Sequence, residues 1–288
     1  MIERVQANGI DFAYLAEGKG PLVLLLHGFP DTPHTWDRTM PALARAGYRA
    51  VAPFLRGYHP TEIPKDGPFD IDTLGRDVLA LIEALGESRA VVIGHDWGAT
   101  AAYAAAALGP DSVRLLVTLA VPHPRAIPKT PRQVWSMRHF LALRRASIAA
   151  KLRADDLRYI DELWRRWSPA WNDLPPSETA AVKQAFAEPG CLEAACSYYA
   201  AIPLSGKLPP SATIPIKVPT FAFAGDHDHQ MKLRTFEHAR SCFEGSYEVI
   251  RVPGGHFMHR EHPERVISEL VRVVREQVAC ANDGKDIA

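Results

Sequence analysis

The chain has 288 residues, 47% of them hydrophobic, and sets 33 Lys+Arg against 33 Asp+Glu, so it carries no formal net charge. That size and composition suit a soluble globular α/β protein with a large core. They exclude the basic footprint of a nucleic-acid binder, and no stretch is long and apolar enough for a membrane helix.

From the N-terminus, residues 5–14 with Asn8-Gly9 at their centre predict an opening β-hairpin. Six short apolar runs follow, at 22–26, 49–52, 90–93, 115–119, 220–224 and 247–252. Their two-sided apolar character predicts strands of a parallel sheet buried on both faces. Helical spacing lies between them. Ile71, Leu74, Val78, Leu81, Ile82 and Leu85 mark one apolar stripe, with Gly86 as its stop. Residues 99–108 are alanine-rich, and Pro263 opens a last helix carrying Val266, Leu270, Val273, Val274 and Val278 on one face. Alternation of this kind predicts a doubly wound, mostly parallel α/β fold.

Between Pro122 and Pro219 the alternation stops. That stretch is helical, rich in Arg and Trp and bounded by proline-rich connections. It divides the chain into a core (1–121 and 219–288) and an inserted helical cap (122–218) over the carboxyl edge of the sheet, where such folds bind ligands. The run Arg144, Arg145, Lys151, Arg153 reads as a solvated helix face, and Trp164, Trp167 and Trp171 as packing within the cap. Cys191, Cys196, Cys242 and Cys280 show no metal-ligand or redox spacing, and the opening MIERVQANGIDF has no signal-type apolar segment. The expectation is an unprocessed cytoplasmic protein with reduced thiols.

The segment AVVIGHDWGA runs from a strand through G-x-D-x-G into a helix. Small residues on either side allow a strained turn that presents the central side chain at the top of the sheet. Here that side chain is Asp96, which is also a residue type that caps helices. A carboxylate is already ionised at neutral pH, so it needs no base to become a nucleophile. It is suited to displacement at an sp3 carbon, giving an ester whose own carbonyl must then be hydrolysed. The second step demands an oxyanion hole and a general base.

Both have candidates. LLLHGFP ends a strand and offers the backbone N–H of Phe29, with that of Trp97 as a second donor; such donors are each worth about 3 kcal/mol of barrier. PGGHF follows the last strand and places His256 on a glycine-rich loop, where a base belongs. FAFAGDHD ends another strand and offers Asp226 or Asp228 to orient that base; Asp228 is favoured because it lies beyond the strand-ending turn. The alternative use of His227, Asp228 and His229 as a metal centre lacks a second ligand group at recognisable spacing, and no metal or cofactor is expected.

Through HGFPDTPHTW, RAVVIGHDWGA, FAFAGDHD and PGGHF the chain resembles the epoxide hydrolases and haloalkane dehalogenases of the α/β-hydrolase fold, and HGFP is closer to the epoxide hydrolase form. The order nucleophile, acid, histidine (96, 228, 256) is that of the fold. The resemblance implies a small epoxide and water as reaction partners. It also implies proton donors in the cap: Tyr199 of Ser197-Tyr198-Tyr199 by register, with His139 where a second tyrosine is usual. Trp36 falls where relatives line the substrate pocket. The alternative is a haloalkane or haloacid dehalogenase with the same nucleophile. The haloacid form is disfavoured because Trp97 and Thr100 stand where carboxylate-binding arginines are expected.

Overall fold

Among the residues described by the computed structural model, 1–65, 67–145 and 147–283, eight strands form one sheet. They are β1 (Ile2–Ala7), β2 (Ile10–Glu17), β3 (Leu22–Leu26), β4 (Arg49–Pro53), β5 (Ala90–His95), β6 (Val113–Leu119), β7 (Thr220–Gly225) and β8 (Tyr247–Val252). Their spatial order is β1-β2-β4-β3-β5-β6-β7-β8. The β1–β2 and β2–β4 pairings are antiparallel and the others parallel. Asn8 (φ 45°) and Gly9 (φ 74°) make the expected hairpin turn, whose two central residues both need positive φ. Every residue of β3 and β5 is buried, as strands covered on both faces require.

The helices are α1 (Thr39–Arg45), α2 (Ile71–Ala84), α3 (Trp97–Leu108), α4 (Pro131–Ser136), α5 (Arg138–Leu143), α6 (Ile148–Trp167), α7 (Pro176–Ala187), α8 (Cys191–Ala201), α9 (Leu233–His238), α10 (Met258–Glu261) and α11 (Pro263–Asp283). The helix α6 is interrupted at 154–157. The stripe read from sequence is the buried side of α2. Its start is fixed by Asp70, whose side chain accepts the Thr73 N–H at 3.0 Å, and Gly86 (φ 86°) follows its end. Burying Leu74, Val78, Leu81 and Ile82 contributes about 1.5–3 kcal/mol each. With α3 these residues cover one face of the sheet, while Met40 and Leu43 of α1 and Val266, Leu270, Val273 and Val274 of α11 cover the other. Val278 and Cys280 lie outside the described side chains; Cys191, Cys196 and Cys242 are buried free thiols. No helix among the described residues is long and apolar enough to cross a membrane.

Two features position a site. From β3 the sheet extends to β4 on one side and to β5 on the other, so the strand order reverses between β3 and β5 and a crevice opens at their carboxyl ends. The helices α4–α8 intervene between β6 and β7, and residues around α4, α5 and the end of α8 roof that crevice.

The structure corrects two expectations. Arg144 is not a solvated charge: its guanidinium donates to the carbonyls of Tyr199 (3.1 Å) and Ile202, holding the C-terminal end of α8. Arg153 pairs with Glu193 across the same helical segment. Trp36, expected at the pocket, has no exposed surface and belongs to the cluster on the α1/α11 side of the sheet, stacked on His259 at 4.9 Å. The short 3-10 turn over Pro33–Trp36 carries its ring beneath the sheet and away from the crevice.

Candidate active site

Asp96 stands between β5 and α3 with φ 52° and ψ −117°, a backbone region costing a non-glycine residue about 1–3 kcal/mol. Close packing holds it there. A Cβ on Gly98 would come within 2.6 Å of the Leu26 carbonyl carbon, and a Cβ on Gly28 would lie 2.5 Å from Asp96 Oδ1. The two glycines therefore let the β3 loop and the α3 N-terminus meet around this carboxylate. Its side chain keeps 14% exposure.

The two oxygens of Asp96 have different partners. Oδ1 accepts the Phe29 N–H at 2.8 Å, and Oδ2 lies 3.2 Å from His256 Nε2. As the first residue of α3, Trp97 has an N–H with no intrahelical acceptor, at the end of a helix that favours negative charge. Burial would raise the Asp96 pKa, but the hydrogen bond and charge of His256 bring it below the usual carboxylate value.

His256 Nδ1 faces Asp228 Oδ2 at 3.3 Å. Asp228 Oδ1 accepts the N–H groups of Gln230 (2.7 Å) and Met231 (3.1 Å), which fixes the carboxylate plane. Asp226, the rival acid, lies apart in an exposed ion pair with Arg251. Burial alone would make His256 harder to protonate. The two carboxylates outweigh it and raise the ring to about 9. The loop is pinned on every side: His256 N–H donates to the Trp167 carbonyl (2.9 Å), Phe257 N–H to Ser168 Oγ (3.1 Å), and Gly255 N–H to Glu261 Oε2 (2.7 Å). Trp164 stacks on Phe257 at 3.8 Å and donates its indole N–H to the Pro30 carbonyl at 2.9 Å. Trp164 and Trp167 thus clamp the histidine loop to the helical segment, a role beyond packing within it.

A cavity of about 680 Å³ opens over these groups, and Asp96, Trp97, His139, Phe140 and His256 line it. His139 is half-buried, and burial lowers its pKa to about 4, so the ring is neutral. Its centroid lies 6.4 Å from that of Tyr199.

The two tyrosines separate cleanly. Tyr198 reaches the cavity wall, but its hydroxyl donates to the Arg56 carbonyl at 2.7 Å, and Arg56 is itself locked by a buried pair with Asp77 at 2.6 Å. Tyr199 sits behind the wall, its ring centroid 5.2 Å from Phe29, 5.1 Å from Trp97 and 5.0 Å from Phe140. Burial, reinforced by the Asp96 charge, keeps the Tyr199 proton on well beyond the ordinary phenol range. His27 is structural. Its Nδ1 contacts the Gly28 carbonyl and its Nε2 accepts the Leu55 N–H, while burial lowers it to about 3. Sequence reasoning assigns no role to Asp31, His95 and His259, which lie buried beside His256, and reads Arg144, which holds the Tyr199 end of α8, as a solvated charge.

Residues 21–263 match the family described as alpha/beta hydrolase fold. Over 120 residues the chain is 47% identical to a Caballeronia sordidicola protein named epoxide hydrolase; that match spans 41% of this chain and only 36% of the relative. It is 28% identical over 316 aligned positions to epoxide hydrolase A of Mycobacterium tuberculosis, with 93% of this chain and 95% of that one covered. The crystal structure of epoxide hydrolase A from Mycobacterium thermoresistibile superposes with a TM-score of 0.82 at 26% identity, over 96% of this chain and 98% of the other. Bacillus megaterium epoxide hydrolase in complex with an inhibitor superposes at 0.85 over 95% of this chain and all of the other; at 22% identity that likeness bears on the fold alone.

Proposed function

The chain belongs to the α/β-hydrolase fold family and is a hydrolase similar to epoxide hydrolases; on that premise we propose that it opens an epoxide to a diol through a covalent ester on Asp96. The observation that carries the reading is the division of labour between the Asp96 oxygens: Oδ1 on a backbone N–H, Oδ2 on the histidine. In this reading residues 1–121 and 219–288 are the catalytic core and 122–218 the cap.

In the first step Asp96 Oδ2 attacks an epoxide carbon and the carbon–oxygen bond of the ring breaks. The alkoxide so formed is a poor leaving group without a proton, and Tyr199, assisted by a hydrogen bond from neutral His139, donates one. In the second step water attacks Asp96 Cγ. His256 Nε2 takes its proton, Asp228 holds the ring, and the charge that develops on Oδ1 falls to the N–H groups of Phe29 and Trp97. Collapse releases the diol and restores the carboxylate.

The state of His256 supports this order. In the resting site the ring lies between two carboxylates and holds its proton up to about 9. Esterification removes one of those charges, so the ring's hold on its proton weakens and that proton is released to restore the phenol of Tyr199. His256 then emerges neutral, as the second step needs. The test is His256→Ala with mixed epoxides and haloalkanes. A peptide containing Asp96 that gains the full mass of an epoxide is the expected result. An adduct lacking a halogen would assign the alternative leaving group, and turnover with no adduct would refute covalent catalysis.

A further inference from the structure

Eight buried side-chain polar atoms have no hydrogen-bond partner among the described residues, and five of them belong to Asp31, Thr32, Trp36, His95 and His259, beside His256. Asp31, His95 and His259 have at most 4% exposure, and one ligand-type atom from each lies within 4.8 Å of the other two. The unpartnered atoms of these three are Asp31 Oδ2, His95 Nδ1 and His259 Nδ1. A buried polar atom without a partner loses its hydration and gains nothing in return, so three together call for a ligand.

The ring atoms say what that ligand supplies. His95 Nε2 lies 2.9 Å from the His256 carbonyl oxygen, which only accepts, so Nε2 carries hydrogen. Burial keeps the ring neutral, with a pKa lowered to about 3, and its Nδ1 is therefore a bare acceptor. His259 Nε2 pairs with Thr35 Oγ1 at 2.6 Å, which leaves its Nδ1 as the unpartnered atom.

We propose that Asp31, His95 and His259 cage one internal water molecule, and that this cage positions the catalytic loop through the His95 N–H bond to the His256 carbonyl. Two hydrogen bonds of about 2.8 Å at a tetrahedral angle set their partners about 4.6 Å apart, which fits ligand-type atoms that all lie within 4.8 Å of one another. A single water closes the network. Burial raises the Asp31 carboxyl to about 7, with Thr35, the Thr32 N–H and Arg260 opposing and Asp96 reinforcing. With Asp31 protonated, the acid donates to the water and the water donates to both Nδ1 atoms. His259 then carries hydrogen on Nε2 and donates to Thr35 Oγ1, and His95 still donates to the loop.

The kinetic part rests on the reading of His256 as base, so the primary test does not use turnover. A crystal structure of the full chain at a resolution that places waters is expected to show one oxygen-sized peak at about 2.6–3.2 Å from all three atoms. Nitrogen NMR of labelled histidine is expected to report His95 as the Nε2–H form. Direct contact between the three side chains, an anomalous peak of a metal, or an Nδ1–H His95 would each overturn the proposal. In single-turnover assays, His259→Phe, which keeps the stack on Trp36, is expected to slow ester hydrolysis about ten-fold with alkylation of Asp96 unchanged. Asp31→Asn, which returns a donor, is expected to recover most of the hydrolysis rate lost in Asp31→Ala. Equal slowing of both half-reactions, or no recovery, would refute the positioning role. Absence of any ester in His256→Ala would instead strike at the function and leave the water site standing.

Discussion

The sharpest test of the two-step reading is Asp228→Asn. Asp228 Oδ1 already accepts two backbone N–H groups, from Gln230 and Met231. An asparagine is therefore held with its carbonyl oxygen in that place, and its NH2 must turn to His256 Nδ1. An NH2 only donates, so the ring is driven to the form with a bare Nδ1 and hydrogen on Nε2, the wrong form for accepting a proton from water. The electrostatic loss adds to this. Holding the ring at about 9 instead of 6.5 corresponds to about 3 kcal/mol, shared between Asp228 and Asp96 against the opposing effect of burial. Ester hydrolysis is expected to fall by about 10³–10⁴, the order found when the orienting acid of such a triad becomes an amide. Alkylation uses the ionised Asp96 carboxylate and the Tyr199 proton, neither of which Asp228 holds, and is expected to fall by less than about ten-fold. Rapid quench with intact-mass detection separates the two: the variant should reach nearly full ester occupancy within the first turnover. Equal slowing of both steps, or hydrolysis at the unaltered rate, would refute the assignment of Asp228 to His256.

Other outcomes follow from the same geometry. Tyr199→Phe is expected to lower epoxide opening by about 10²–10⁴ and to leave ester hydrolysis within a few-fold, measured by single-turnover kinetics. Tyr198→Phe should leave that chemistry nearly intact but orphan the Arg56 carbonyl, costing about 1–3 kcal/mol of stability by denaturant unfolding. Gly28→Ala forces a methyl to within 2.5 Å of Asp96 Oδ1 and should abolish adduct formation in a folded protein, as checked by circular dichroism and mass spectrometry. For pH, His27 and His95 (each lowered to about 3) and His123 and His139 (each lowered to about 4) are buried neutral. Their contribution is present above 6.5 and is lost as pH falls from there toward 3, while that of His256, raised to about 9, is full below 6.5 and lost as pH rises through 9. Melting temperature should therefore drop on both flanks, and the alkaline drop should shrink in His256→Ala.

What the sequence discloses about this site is what its local chemistry demands. Gly94 and Gly98 around Asp96 announce a turn that only small neighbours permit, and the paired glycines before His256 announce a loop at a strand end; each is legible within five residues. The doubly wound α/β class is legible for the same reason, because apolar runs of strand length alternate with helical spacing, whereas the strand order is not. Distance along the chain is where legibility ends. Trp36 stands where relatives line the substrate pocket, yet the turn at Pro33–Trp36 takes it to the opposite face of the sheet, against a histidine 223 residues later. Arg144 looks like one charge in a basic run, and only the packing of the segment before α6 on α8 reveals the carbonyls it serves. The two tyrosines show the limit most clearly. Adjacent helical residues differ by about 100° in direction, so Tyr198 and Tyr199 meet different surroundings. Which surroundings each meets depends on Tyr198 finding the Arg56 carbonyl, and the Arg56 guanidinium is held by Asp77 on α2. That register is set by three elements from three parts of the chain, and no window of sequence contains it.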